Sequence, residues 1–137
     1  MSPPRIRSAF ESRLATWAAS KGLPVVWQNV GAGSVTGDHL RAFLLPAQTL
    51  SSDLAGQHRG YRGIFQVSVF TRPNIGANRA ETLARELDEL FPVALRMWSA
   101  GLVVQVLTPM TTKPPIQETD WFHVPVDCRY AADEFKA

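Results

Sequence analysis

Two stretches of the chain alternate apolar and polar residues, and this period of two constrains the fold more than any other feature of the sequence. In residues 61–71, Phe65, Val67 and Val69 lie on one side of a predicted strand. In residues 121–130 the alternation recurs, with the apolar positions Phe122, Val124, Val126, Cys128 and Tyr130. A strand with one apolar side has to bury that side, so the chain is predicted to form a sheet covered on one face by other elements.

Two further stretches have the period of an amphipathic helix and can supply that cover. Residues 4–20 place four apolar side chains on one helical face: Ile6, Phe10, Leu14 and Trp17. Asn78 precedes Glu81 by three residues and is predicted to cap a second helix, which Pro92 ends. The apolar stripe of this helix comprises Ala80, Leu83, Ala84, Leu87, Leu90 and Phe91.

The remaining segments complete the predicted order of elements. Three shorter runs are read as strands, at residues 25–28, 39–45 and 102–107. Between and after the elements lie a turn, two long loops and a frayed tail, at residues 29–38, 46–60, 108–120 and 131–137. Pro125 indicates an edge or bulge position in the last strand. The order predicts one α+β domain over residues 1–137, with two helices on one face of a mostly antiparallel sheet.

Composition narrows the class of protein further. Hydrophobic residues make up 45% of the chain, which is typical of a globular domain. With 14 Lys+Arg against 12 Asp+Glu, the net charge of +2 is small for a strong nucleic-acid binder. The single cysteine excludes an intramolecular disulfide and fits a reducing compartment. The sequence shows neither a signal peptide nor a membrane-spanning run, so a soluble, intracellular domain is expected.

The residues that could carry catalysis or bind a cofactor are scattered. The glycines of NVGAGSVTG (29–37) precede a strand rather than a helix, which argues against a phosphate-binding loop. The three histidines, His39, His58 and His123, share no metal-ligand spacing. Cys128 lies on an apolar face, where thiols are usually inert. We therefore expect no enzyme activity, no cofactor and no metal site.

A basic stretch, QHRGYRGIFQVSVFT (57–71), is the strongest candidate for a contact site. It places Arg59 and Arg62 beside glycines at the entry to a strand, where both are expected to face outward. A solvated turn, a protein partner and DNA remain open as explanations. Arginine and aromatic residues are enriched at binding hot spots. The predicted oligomer or partner contacts are Arg59, Tyr61, Arg62, Arg72, Trp98, Lys113 and Trp121.

Several short pieces together suggest a family. They are Trp-Gln-Asn after the first strand, Arg-Gly-Tyr-Arg-Gly-Ile-Phe-Gln-Val, Asn-x-Gly before a helix ending in Leu-Phe-Pro, and the closing Trp-Phe-His-Val-Pro-Val. Over roughly residues 5–130 the chain resembles small prophage proteins related to the tail terminators of phages with long, non-contractile tails.

The resemblance implies a structural role without catalytic residues or cofactors. Tail terminators form a ring, typically a hexamer, that caps the tail tube protein and offers a surface to head–tail connector proteins. The implied setting is the bacterial host cytoplasm during assembly and then the virion tail, with DNA only passing through the lumen and no membrane. The alternative that the residues leave open is a small nucleic-acid-binding module that uses the basic loop–strand edge.

Overall fold

A computed structural model of the chain describes residues 2–28, 37–50, 58–99 and 101–135. Two helices, α1 (Ser2–Lys21) and α2 (Asn78–Leu90), accompany a sheet of short and long strands. The strands are β1 (Val25–Val26), β2 (His39–Leu50), β3 (His58–Thr71), β4 (Arg96–Ser99), β5 (Leu102–Val106), β6 (Thr111–Thr112), β7 (Ile116–Gln117) and β8 (Phe122–Phe135).

The described strands form one mixed sheet. Its order is β1-β2-β3-β8-β5-β4, and β6 and β7 pair with β8 outside this path. β1 runs parallel to β2, whereas the remaining pairs are antiparallel. The prediction of an α+β domain with a mostly antiparallel sheet is confirmed.

Strand alternation separates the two faces of the sheet, as the sequence predicts. In the β3–β8 ladder Phe65 pairs with Cys128 and Val67 with Val126, and all four side chains are buried. Both helices pack on this face: α1 buries Ile6, Phe10 and Leu14, and α2 buries Ala80, Leu83, Ala84 and Leu87. Since neither α1 nor α2 packs on the opposite face, we call it the bare face. Its side chains include His39, Arg41, Arg62, Ile64, Phe70, His123, Asp127 and Arg129.

Four aromatic rings form the centre of the core. The ring of Phe10 stacks on that of Phe65 at 4.4 Å between centroids, and it meets the rings of Phe91 and Tyr130 at 5.7 and 5.5 Å. These rings come from α1, β3, β8 and the residue after α2, so one cluster joins both helices to the two central strands. Offset and tilted ring pairs of this kind add to the free energy gained by burial.

The long loop predicted at 46–60 is wrong at both ends. β2 continues past Pro46 to Leu50, with an irregularity in register between Pro46 and Gln48, and β3 begins at His58. Proline is tolerated there because β1 covers only Leu40 and Arg41 of β2. Residues 51–57 lie outside the described residues, as do residues 29–36 of the predicted turn.

The predicted frayed tail is also wrong as far as residue 135. Ala131 and Ala132 are buried because β8 pairs with β3 on one side and with β5 on the other. Residues 136–137 lie outside the described residues.

Smaller corrections concern elements that were missed or misplaced. β4 was not predicted, β6 and β7 lie within the predicted loop 108–120, and the predicted strand 25–28 shortens to β1. Ala77, not Asn78, occupies the N-cap of α2, and no side chain caps the helix. Pro125 lies in an interior strand, but its carbonyl accepts from the Lys113 N–H in the gap between β6 and β7, where the proline needs no N–H of its own.

Candidate assembly surfaces

A cavity on the bare face brings together two arginines that are 67 positions apart in the sequence. Register pairs Ile64 of β3 with Arg129 of β8, and Arg62 lies two residues along on the same face. The cavity has a volume of about 380 Å³ and is lined by Ala47, Arg62, Gly63, Ile64, Leu107, Arg129 and Tyr130. We call it the arginine pocket.

The two guanidinium groups of the arginine pocket have no acidic partner in the described part of the chain. Arg62 Nη1 donates to the carbonyl oxygen of Tyr61 at 3.1 Å. The backbone of Arg129 is fixed, since its N–H donates to Thr108 Oγ1 at 2.9 Å and its carbonyl accepts from Leu107. With an apolar floor and an unneutralised cationic rim, the pocket suits an anionic side chain.

A row of three rings crosses the bare face where β2, β3 and β8 are in register. The ring of Phe70 stacks on that of His39 at 4.8 Å and on that of His123 at 4.5 Å, and the Arg41 guanidinium lies 5.1 Å from the Phe70 centroid. Trp121 meets His39 edge-on at 4.7 Å. The row therefore anchors Trp121 within the subunit.

The two histidines of this row form fewer hydrogen bonds than their ring nitrogens allow. His39 is only 1% exposed. Its Nδ1 lies 3.0 Å from the Gly37 carbonyl oxygen, and its Nε2 has no hydrogen-bond partner in the part of the chain that the structure describes. His123 Nδ1 lies 3.3 Å from a Glu118 carboxylate oxygen, within ion-pair distance but without the alignment of a hydrogen bond. We read this contact as a loose electrostatic one because Glu118 is largely solvated.

The end of the sheet formed by β4 carries the most exposed large apolar side chain of the described residues. Trp98 is 73% exposed. It borders a groove of about 630 Å³ between α1 and β4, lined by Ser8, Ala9, Ser12, Arg13, Thr16, Trp17, Ser20, Leu90, Met97, Trp98 and Ser99. An exposed tryptophan beside an open strand edge is typical of a contact surface.

The outward side of α2 has a small excess of acidic residues, since it exposes Glu81, Asp88 and Glu89 against Arg79 and Arg85. Glu86 forms an ion pair with Lys21, and Asp88 accepts a hydrogen bond from the Met110 N–H at 3.1 Å. Glu81 and Glu89 are exposed, and within the described residues neither lies within ion-pair distance of a cation. These two carboxylates are therefore available to a partner.

The structure does not bring the seven predicted contact residues together. Arg59 and Tyr61 lie on the helix side of β3, whereas Arg62 lies on the bare face, so the two arginines lie on opposite faces of the sheet. Tyr61 Oη donates to a Glu134 carboxylate oxygen at 3.3 Å, and Arg5 pairs with the same carboxylate.

The other predicted contact residues lie apart from these. The side chain of Arg72 is exposed in the loop after β3. The backbone N–H of Arg72 donates to Asp38 Oδ1 at 3.2 Å. Lys113 lies 3.7 Å from Asp127 across β6 and β8. Trp98 and Trp121 belong to the β4 edge and the ring row. Sequence reasoning missed Arg129 and Glu89, although the polar positions of β8 and the solvent side of α2 were already indicated by their periods.

Nucleophilic chemistry at the lone thiol is disfavoured. Burial raises the pKa of Cys128 from 9.0 to about 12, and the neighbouring Asp127 carboxylate adds to the increase. The thiol is thus held in its protonated, unreactive form. Among the described residues no three His, Cys, Asp or Glu side chains are placed to hold a metal ion. In the same residues no helix is long and apolar enough to cross a membrane.

Comparison with known proteins assigns the family. The model of a family described as "phage tail terminator protein" matches residues 5–130. The chain belongs to this family. It is therefore a phage structural protein, which agrees with the resemblance identified from its short sequence pieces. The family is not an enzyme family.

Two solved structures share the fold of this tail terminator family member. One, which bears only a sequence identifier as its name, is 45% identical, covers 96% of each chain and superposes with a TM-score of 0.82. The other belongs to the virion of a native gene transfer agent particle. It is 18% identical, also covers 96% of each chain and has a TM-score of 0.67, so it shows a common fold. No curated protein matches the chain.

Proposed function

We propose that this chain forms a closed ring, with six copies as the expected number, that caps the phage tail tube. The ring stops polymerisation of the tube protein and presents a surface to the head–tail connector proteins. The observation that carries this proposal is the family match over residues 5–130. Assembly takes place in the bacterial host cytoplasm, from a phage or prophage genome, and the ring ends in the virion tail.

The surfaces of the subunit are compatible with a ring. A ring needs two unlike surfaces on each copy, because every contact is head to tail. The sheet ends in two different strands, β1 and β4, and its two faces differ in cover and charge. The predicted residues proposed as contacts are Arg59, Arg62, Arg72, Trp98 and Lys113. Tyr61 and Trp121 also make contacts within the subunit.

Nucleic-acid binding by Arg59, Arg62 and Arg72 is a weaker proposal. The three side chains lie on the helix side of β3, on the bare face and in a loop, so they do not form one basic patch. A lumen through which DNA passes has no need of tight binding.

The proposal is tested by polymerising the tube protein of the same phage with and without this chain. Negative-stain microscopy is expected to show shorter tubes with a ring at one end when the chain is present, and native mass spectrometry a ring-sized oligomer or a tube complex. Unchanged tube lengths together with a chain that stays monomeric in the presence of the tube would contradict it. Salt-sensitive DNA binding instead would favour the weaker proposal.

A further inference from the structure

The bare face and the outward side of α2 lie on opposite sides of the subunit. Among the described residues, the first carries two arginines without an acidic partner, Arg62 and Arg129. The second carries two carboxylates outside ion-pair distance of a cation, Glu81 and Glu89, with Arg85 between them along the helix. We infer that α2 of one copy of this chain packs over the arginine pocket of the next copy, which is an inference that rests on the proposed ring. The contact places Glu89 of one copy against Arg62 and Arg129 of its neighbour.

The basic half of this contact is built by β-sheet register. Arg62 and Arg129 flank a cavity of about 380 Å³, and no carboxylate in the described residues neutralises them. Leu45 and Leu107 are 42% and 44% exposed beside this cavity. An apolar centre surrounded by arginine is the composition of a binding hot spot rather than of a solvated strand face.

The acidic half is built by the helical period of α2. Its apolar stripe faces the core, so Glu81 and Glu89 face away from the sheet. Just beyond the helix, Val93 is 51% exposed. Like the basic half, this half therefore combines an exposed apolar side chain with charged side chains. Here the charged side chains are carboxylates instead of arginines.

A second copy of the chain fits the arginine pocket better than DNA does. The pocket is a concavity of side-chain size with an apolar floor, whereas a phosphate backbone is bound by an extended row of cations. Of the further cations near this face, Lys113 is paired with Asp127 and Arg41 lies over the ring of Phe70. The chain itself carries the complementary surface, and a contact between unlike faces is the kind that closes into a ring.

The test reverses one charge at a time and then mixes the variants. Arg129→Glu and Glu89→Arg should each raise the protein concentration at half-assembly by about tenfold or more, since like charges then meet at every contact. An equimolar mixture of the two variants should assemble within about threefold of the unmodified chain, because alternating copies restore an opposite-charge pair at each contact. Native mass spectrometry and sedimentation velocity, with tube protein added if it is needed for assembly, report both quantities.

One control variant accompanies the pair. Asp120→Arg makes the same change in charge as Glu89→Arg, but in the exposed segment before β8, and should leave assembly unaltered. Circular dichroism of each variant should show an unchanged Tm.

The outcomes separate this inference from the proposed function. If the unmodified chain forms rings and neither charge reversal weakens them, or the mixture fails to recover, the contact lies elsewhere and only this inference is overturned. Recovery that stops at a dimer would show a self-complementary contact and also overturn it. If Arg129→Glu instead lowers salt-sensitive DNA binding with assembly intact, DNA occupies the pocket. If the unmodified chain never oligomerises, with or without tube protein, the proposed function itself is contradicted.

Discussion

Gly63 is a residue whose identity the packing dictates. A methyl group added there would lie 2.5 Å from Tyr130 Oη and 2.6 Å from the Leu45 carbonyl oxygen. The Tyr130 ring, which packs against Phe10, lies close to this position, so its placement in the core ring cluster requires that Gly63 has no side chain.

Gly63→Ala is therefore expected to lower the free energy of unfolding by about 1–3 kcal/mol through overpacking. Urea denaturation measures the change. Gly37→Ala is the matched control, because a methyl group at that position meets nothing within 4 Å, and it should change stability by less than about 0.5 kcal/mol. Equal stability of the two variants would mean that Tyr130 moves aside without cost.

The raised pKa of Cys128 predicts how the free energy of unfolding changes at alkaline pH. Its pKa rises from 9.0 to about 12 in the folded chain, chiefly through burial. Burial also raises the pKa of Tyr130. In both cases the folded state holds the proton more tightly than the unfolded state, so the stabilisation is complete below the unfolded pKa and is lost as the pH rises towards the folded pKa.

The free energy of unfolding should consequently fall between pH 9 and pH 12, and the fall should be shallower in Cys128→Ala. Urea titrations at a series of pH values measure both slopes. As an independent check, the thiol should react with Ellman's reagent at about pH 8 only after denaturant is added. Rapid reaction of the native protein would contradict the buried, protonated thiol.

At the scale of elements, β8 holds the molecule together. It pairs with β3 along its whole length and, on its other side, with β5, β6 and β7. The part of β8 after Tyr130 was predicted to fray, because Ala131 to Phe135 carry little apolar signal of their own. Their order comes from the register with β5, in which Val104 faces Ala132.

Ending the chain after Tyr130 is thus expected to destabilise it strongly. The truncation removes ladder hydrogen bonds worth about 1 kcal/mol each and uncovers the partners of the buried Ala132. A fall in Tm of about 10 °C or more should follow in a thermal melt. Ala132→Asp in the full chain, which places a charge at the same buried site, should also lower the Tm. An unaltered Tm in both variants would support the original prediction that the chain is frayed after Tyr130.

Elements with a strong period were predictable, and those without one were not. The stripe of α2 and the alternation in β3 and β8 are local patterns, so their existence and their buried faces were correct. The four residues of β4 and the two residues each of β6 and β7 are too short to show a period. They are strands only because β5 and β8 present edges to pair with.

At the scale of the whole molecule, Arg62 lies on the sheet face on which neither helix packs. Its side chain borders a cavity and, among the described residues, forms a hydrogen bond only with the neighbouring Tyr61 carbonyl, so its charge contributes little to the fold. Arg62→Glu is therefore expected to keep the Tm of the unmodified chain and to impair ring assembly or tube capping.

Tube-length distributions measured with this variant test the expectation. Normal tube capping by the Arg62→Glu variant would show that Arg62 is a solvated side chain without a role in assembly.

The sequence by itself determined the periods, the face on which each strand residue lies, the fold class and the family. Those properties depend on residues that are close together in the sequence, because helix and strand geometry repeat every few positions. Only the tertiary structure decided that Arg62 and Arg129 share a pocket, that Arg59 lies on the other face, and that residues 131–135 are ordered. These depend on which strand pairs with which and in what register, and that choice is made by contacts between distant parts of the chain.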